Sequence, residues 1–135
     1  MLEVKALLFD VFGTVVDWRT GIAKEIQIIA KKYNIFLNAE DFADAWRAEY
    51  QPAMEEIRNG GRDFTILDIL HLENLKKIAP RFDLNNLTNE DLNFLVTAWH
   101  RLPGWSDTSQ GLNKLKKKFI LATQSNGNIA LMVNM

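Results

Sequence analysis

Cysteine is absent from the 135 residues, so neither a disulfide framework nor a thiolate metal site is open to this protein. Histidine is scarce. His71 and His100 are the only two, and neither has a partner at ligand spacing, so no metal site built on them is expected. Charge of one sign is not in excess either: 16 basic residues meet 17 acidic ones, for a formal net charge of −1. No basic stripe points to nucleic acid, and no apolar run approaches the roughly 20 residues of a membrane span. The opening MLEVKALLFD lacks the basic stretch and cleavage site of a secretory signal, so the expectation is a cytoplasmic protein without nucleic-acid or membrane partners. Proline occurs three times, at Pro52, Pro80 and Pro103, each time where a helical pattern breaks.

What is present begins with a hydrophobic run. Residues Ala6 to Phe9 lead into Asp10, then Val11-Phe12-Gly13-Thr14-Val15-Val16-Asp17. The run is too short for a helix and is broken by glycine, which predicts a fully buried strand of a parallel sheet. Asp10 then falls at the carboxyl end of the strand, where open α/β sheets place their ligands. A carboxylate there calls for hydrogen bonds or a use. Backbone N–H groups at Gly13-Thr14 and the Thr14 hydroxyl could hold it. On local grounds the alternative is a strand that simply ends in Asp and turns at Gly.

The pattern then becomes helical. Ile22, Ile26, Ile29, Ala30 and Tyr33 share one face, with Lys24, Gln27, Lys31 and Lys32 mostly opposite. A second helix is predicted after the N-cap Asn38, divided or kinked at Pro52, and Asn59-Gly60-Gly61 marks a turn. Thr65 with Asp68, and Thr88 with Asp91, resemble capping boxes that open two more helices, the second flanked by a possible Leu87–Leu92 staple. Pro80 and Leu102-Pro103-Gly104 close them. The result is a compact helical block of short connections. A helix around Leu112 and Leu115 follows, then a second buried strand, Phe119 to Thr123, which ends on Gln124-Ser125-Asn126-Gly127. Lys114, Lys116, Lys117 and Lys118 read as a solvated helix end. The organisation is α/β, with a helical insertion between two strands.

The motifs FDVFGTVVD and LATQSNG, in this order around a helical insert, resemble the haloacid dehalogenase superfamily and within it the L-2-haloacid dehalogenases. The resemblance extends from Val4 to Met135. It implies a Rossmann-like core formed by residues 1–17 and 103–135, with an all-helical cap formed by 18–102. Phe12 decides between branches. Superfamily phosphatases carry an acid there that protonates the leaving oxygen, and they hold magnesium with it; a departing halide needs no proton, and Phe12 has none to give. The activity implied is hydrolysis of short (S)-2-haloacids to (R)-2-hydroxyacids, with no metal or other cofactor. A phosphatase on a small phosphate ester and a non-catalytic remnant remain the alternatives.

By the same resemblance, Asp10 is the nucleophile, Arg47 receives the halide beside Trp46, and Ser125 with Asn126 holds the substrate carboxylate or orders Asp10. Val11, Phe12, Thr14 and Phe64 are the further substrate contacts. Each also has a plainer reading: Arg47 as a surface side chain lying along Trp46, Phe64 as core, Ser125 or Asn126 as a helix N-cap. Trp18, Trp99 and Trp105 read as packing, and Asp17 and Asp107 as capping or turn residues. Family members also supply a lysine and an acidic residue from further along the chain, and no lysine follows Lys118. A partial gene product is the favoured explanation, ahead of a degenerate relative or a half-site completed by another chain. The partners implied are a small 2-haloalkanoic acid and, through an exposed sheet edge, a second copy in a homodimer.

Overall fold

The computed structural model describes residues 3–135. Residues 1 and 2, with which the expected core segment 1–17 begins, lie outside the described residues. Strand β1 (Ala6–Phe9) is followed by helices α1 (Trp18–Lys32), α2 (Ala39–Ala48), α3 (Tyr50–Arg58), α4 (Leu67–Ile78) and α5 (Asn89–Val96). Helix α6 (Thr108–Leu115), strand β2 (Ile120–Thr123) and helix α7 (Ile129–Asn134) complete the order. β1 and β2 pair in parallel, Ala6 opposite Ile120 through Phe9 opposite Thr123. The α/β organisation is therefore as expected.

The strands are not buried as expected. Parallel pairing puts Ala6 and Leu8 on one face with Ile120 and Ala122, and on that face Leu8 is 61% and Ile120 68% exposed. The reason is geometric: a sheet of two strands has few neighbours to cover it. Its other face borders an apolar cavity of about 330 Å³ lined by Phe9, Val11, Val16, Leu112, Leu121 and Met132.

The buried core lies instead in the helical block. Ile22 and Ile26 of α1, Phe42 and Trp46 of α2, Leu70 of α4 and Leu95 of α5 are almost wholly enclosed. Each such side chain contributes roughly 1.5–3 kcal/mol relative to exposure. α1 presents the apolar face its periodicity predicts. Asp17 caps it, its Oδ1 accepting from the Thr20 N–H at 3.1 Å. α1 also meets the chain that returns to the strands: a Cβ on Gly21 would lie 2.8 Å from Pro103 Cδ and 2.9 Å from Leu102 Cδ2.

The helix ends test the capping expectations. Asn38 caps α2 through bonds from the Glu40 and Asp41 N–H groups, and the chain divides at Glu49, with Pro52 in the first turn of α3. Thr88 and Asp91 form the complete box, and the Asp91 carboxylate also takes Lys32 Nζ at 2.6 Å and the Tyr33 hydroxyl at 2.5 Å. Thr65 and Asp68 do not form theirs: α4 begins after Ile66 without a side-chain cap. Other partners take both groups, near ones for Thr65 and distant ones for Asp68. The Thr65 hydroxyl bonds the Asp63 carbonyl and Arg62, while the Asp68 carboxylate accepts from His100 and from Asn128. Pro80 does not stop the chain abruptly but lies in a 3-10 turn, Ala79–Phe82, and a second such turn, Thr97–His100, carries Trp99.

Candidate active site

Asp10 leaves the end of β1 and is exposed to solvent, so no burial cost falls on its charge. A hydroxyl holds each of its oxygens. Thr14 Oγ1 donates to Oδ2 and Ser125 Oγ to Oδ1, both at 3.0 Å. The parallel pairing makes this possible, because it brings the ends of β1 and β2 side by side although 115 residues separate Asp10 from Ser125. The expected backbone donors do not serve Asp10. The Gly13 N–H donates to the Val16 carbonyl at 2.9 Å and the Thr14 N–H to the Val11 carbonyl at 3.2 Å, closing the turn on itself. Gly13 makes that turn with φ +91°, a conformation that side chains rarely adopt.

Residues at and just before the start of α6 fix the turn in place. Trp105 Nε1 donates to the Gly13 carbonyl at 3.1 Å, and the Thr108 hydroxyl donates to the Val15 carbonyl at 2.7 Å. Phe12 then projects into a cavity of about 240 Å³, lined with Asp10 by Arg47, Tyr50, His71, Trp99 and Ser125 among others. Its ring meets Trp99 edge-on, at 6.2 Å between centroids.

Arg47 enters the cavity from α2. Its guanidinium lies 4.2 Å from the Tyr50 ring centroid and 5.8 Å from that of Trp18. A cation held between aromatic faces gives up few hydrogen bonds to stay there, so its N–H groups remain available to an anion. The tryptophan beside Arg47 is thus Trp18, not the expected Trp46. Trp46 turns into the core, where its Nε1 donates to the His71 carbonyl at 3.0 Å. Tyr50 links the two sides of the cavity, for its hydroxyl also accepts from Asn126 Nδ2 at 2.7 Å.

The remaining expected residues separate. Val11 is core and borders the apolar cavity under the sheet, so its side chain does not reach the Asp10 cavity. Phe64 is 85% exposed and borders a different depression, with Met54, Thr65 and Asn128. It is neither core nor a wall of the Asp10 cavity. Ser125 and Asn126 do not cap α7, which starts behind Asn128; their side chains turn instead to the site, Ser125 to Asp10 and Asn126 to Tyr50. Tyr50, Gln51, Leu67, His71 and Trp99 line the cavity without having been singled out for it. One signal was present: Tyr50 stands three residues after Arg47, the spacing of a shared helical face.

His71 is the least expected member. It is 4% exposed, its ring stacks on Trp99 at 4.5 Å between centroids, and its Nδ1 is enclosed without a hydrogen-bond partner among the described residues. Burial lowers its pKa from 6.5 to about 3, with the nearby Arg47 and His100 charges acting in the same direction. It is neutral at physiological pH. Among the described residues no group of acidic and histidine side chains could hold a metal ion.

No family model matches this chain, nor does any curated protein. Solved structures do. A defluorinating L-2-haloacid dehalogenase is 46% identical, with a TM-score of 0.92 over 98% of this chain and 55% of that one. A second L-2-haloacid dehalogenase is 40% identical, with a TM-score of 0.91 over 98% of this chain and 57% of that one. The L-2-haloacid dehalogenase of Xanthobacter autotrophicus, solved with chloropropionic acid covalently bound, shares the fold at 20% identity and a TM-score of 0.79, over 98% of this chain and 50% of that one. The chain thus spans about half the length of these relatives. Identity of 46% and 40% across nearly every residue, on the same fold, means that the chain belongs to the L-2-haloacid dehalogenase family of the haloacid dehalogenase superfamily.

Proposed function

We propose that this chain carries the nucleophile and anion-binding half of an active site that hydrolyses short (S)-2-haloacids to (R)-2-hydroxyacids and halide. An oxygen of Asp10 attacks the halogen-bearing carbon from the side opposite the halogen. The new C–O bond forms as the carbon–halogen bond breaks, its electron pair leaves with the halide, and the configuration inverts. Water then attacks the ester carbonyl of Asp10. The carboxylate is restored, the hydroxyacid departs, and one proton passes to solvent.

The observation that best supports this reading is the setting of Asp10. Each oxygen accepts one hydroxyl hydrogen, which orients the carboxylate while leaving lone pairs free toward a cavity whose other wall carries Arg47. Oriented attack of this kind accounts for a large part of such accelerations. In this reading Arg47 receives the halide, a role suited to a weakly hydrated guanidinium. Asn126 holds the substrate carboxylate through the amide hydrogen that Tyr50 does not take, while the hydroxyls of Ser125 and Thr14, each giving its one hydrogen to Asp10, order the nucleophile. Phe12 walls the cavity, as an apolar residue does where no proton is to be delivered. Val11 contributes through its backbone, whose carbonyl gathers the turn, and Phe64 reaches the substrate only if the 60–66 segment closes inward. Residues 18–102 serve as the cap over a core made of 1–17 and 103–135. The reading also takes the protein to be cytoplasmic and to form a homodimer.

The direct test is halide release from (S)-2-chloropropionate by the purified chain without added metal. Release by the wild type and none by Asp10→Asn is the expected result. Magnesium-dependent release of phosphate from a small ester, with no halide release, would overturn the reading in favour of a phosphatase.

A further inference from the structure

The mechanism above leaves two buried polar groups of the cavity wall unused, the Trp99 Nε1–H, enclosed without a partner among the described residues, and the His71 imidazole. His71 lies on the cavity wall with Arg47 and cannot withdraw from it. Its ring is stacked on Trp99 at 4.5 Å, and Trp99 is itself stacked on Trp18 and met edge-on by Trp46 and Phe12. The α4 backbone at His71 is pinned as well, since its carbonyl takes the Trp46 N–H. The imidazole plane is therefore set by packing before any ligand arrives.

Its hydrogen can be placed by elimination. A neutral imidazole has one N–H donor and one bare acceptor nitrogen. Nδ1 is enclosed without a partner. Enclosing an N–H that bonds nothing is costlier than enclosing an unused lone pair; the neighbouring Trp99 indole has no other place for its hydrogen, but an imidazole does, so Nδ1 is the bare nitrogen. The hydrogen then belongs to Nε2, the ring nitrogen left to face the cavity. A fixed neutral donor stands beside a permanent cation.

We propose that the Nε2–H of His71 is a second hydrogen-bond donor, beside Arg47, to the halide that the cavity takes, and that it biases the site toward the smallest halide. The inference rests on the function proposed above and adds to it a specificity-determining residue. The physical reason is charge density. A guanidinium stacked between aromatic rings favours a polarisable anion without much regard to its size. A directional N–H on a rigid ring adds most for the anion with the most concentrated charge, and it adds this without placing another positive charge near Arg47. His71 moves no proton. The carbon–halogen electron pair still leaves as halide, and the imidazole stays neutral throughout.

Two measurements test this on the chain itself. The first is the nitrogen-15 spectrum of the histidine rings, followed while sodium fluoride and then sodium bromide are added. The expected result is an Nε2-protonated neutral His71 whose Nε2–H signal moves on titration, and moves further with bound fluoride than with bound bromide. An Nδ1-protonated ring, or an Nε2–H signal that ignores both anions, would overturn the proposal. The second compares His71→Phe, which keeps an aromatic ring but lacks the donor, with wild type. Loss of one such bond is expected to weaken fluoride by roughly 2- to 10-fold while bromide changes less; equal weakening of both would count against it. The outcome is separable from that of the proposed function. Halide binding without turnover sinks the reaction and spares His71, whereas turnover with a halide preference unchanged in His71→Phe does the reverse.

Discussion

Two hydroxyls, from residues far apart in the chain, decide how Asp10 can act. Thr14 comes from the turn that β1 runs into, and Ser125 from the end of β2, so each reports on a different part of the fold. A hydrogen bond to a charged group contributes about 1.5–3 kcal/mol. Ser125→Ala and Thr14→Val are each expected to slow halide release by roughly 10- to 150-fold if that bond is fully used in the attack. Both should lower kcat with little change in KM, because the single hydrogen of each hydroxyl is given to Asp10, whereas Asn126→Ala should raise KM, because its amide holds the substrate carboxylate.

His71 yields a stability prediction at the same scale. Its folded-state pKa lies below the ordinary 6.5, at about 3, so the unfolded chain takes up the proton first as pH falls. Stability is therefore complete above the ordinary value and declines as pH drops through the interval between the two. Between pH 7 and pH 5 the loss is expected to be about 2 kcal/mol, read from urea midpoints, and His71→Phe should remove it. Asp91 acts lower on the scale. The Lys32 ammonium, and then the Tyr33 hydroxyl, hold its carboxyl well below the usual range, so its contribution persists at pH 5 and fades only in stronger acid.

At the scale of the elements, local sequence predicted helix starts well where nothing distant competed. Asn38 and the Thr88–Asp91 pair cap as their spacing suggests, because their partners are backbone groups two or three residues away. Thr65 and Asp68 have similar spacing and fail. Asp68 is instead the meeting point of α4 with His100 and with Asn128 at the start of α7, and no local pattern announces a partner 32 or 60 residues away. Gly21 is a comparable case. In an exposed helix Gly→Ala stabilises by about 1 kcal/mol. Here the new Cβ would press on Pro103 and Leu102, so Gly21→Ala is expected to lower the melting temperature rather than raise it.

For the whole molecule, the uncovered sheet is the dominant feature. Leu8 and Ile120 lie diagonally on one open face, while the other borders an apolar cavity. Exposed apolar surface next to unpaired strand edges favours association. Sedimentation at increasing protein concentration is expected to show a rising mass, and a Leu8→Lys, Ile120→Lys double variant to shift the curve to higher concentration. A concentration-independent monomer would refute this.

The sequence by itself determined the kinds of elements and their order, since apolar periodicity and caps act over a few residues and are read locally. It also singled out Asp10, Thr14, Ser125 and Asn126, because short motifs around two strand ends carry them, and Arg47, through a Trp-Arg pair on a helix. Only the tertiary structure decided what these residues touch. It placed Trp18 rather than Trp46 beside Arg47, left Phe64 outside the Asp10 cavity, and brought Tyr50, His71 and Trp99 into its wall. The physical reason is range. Parallel pairing of β1 with β2 and packing of α2 on α4 join residues tens of positions apart, and such contacts depend on how whole faces fit together rather than on any spacing along the chain.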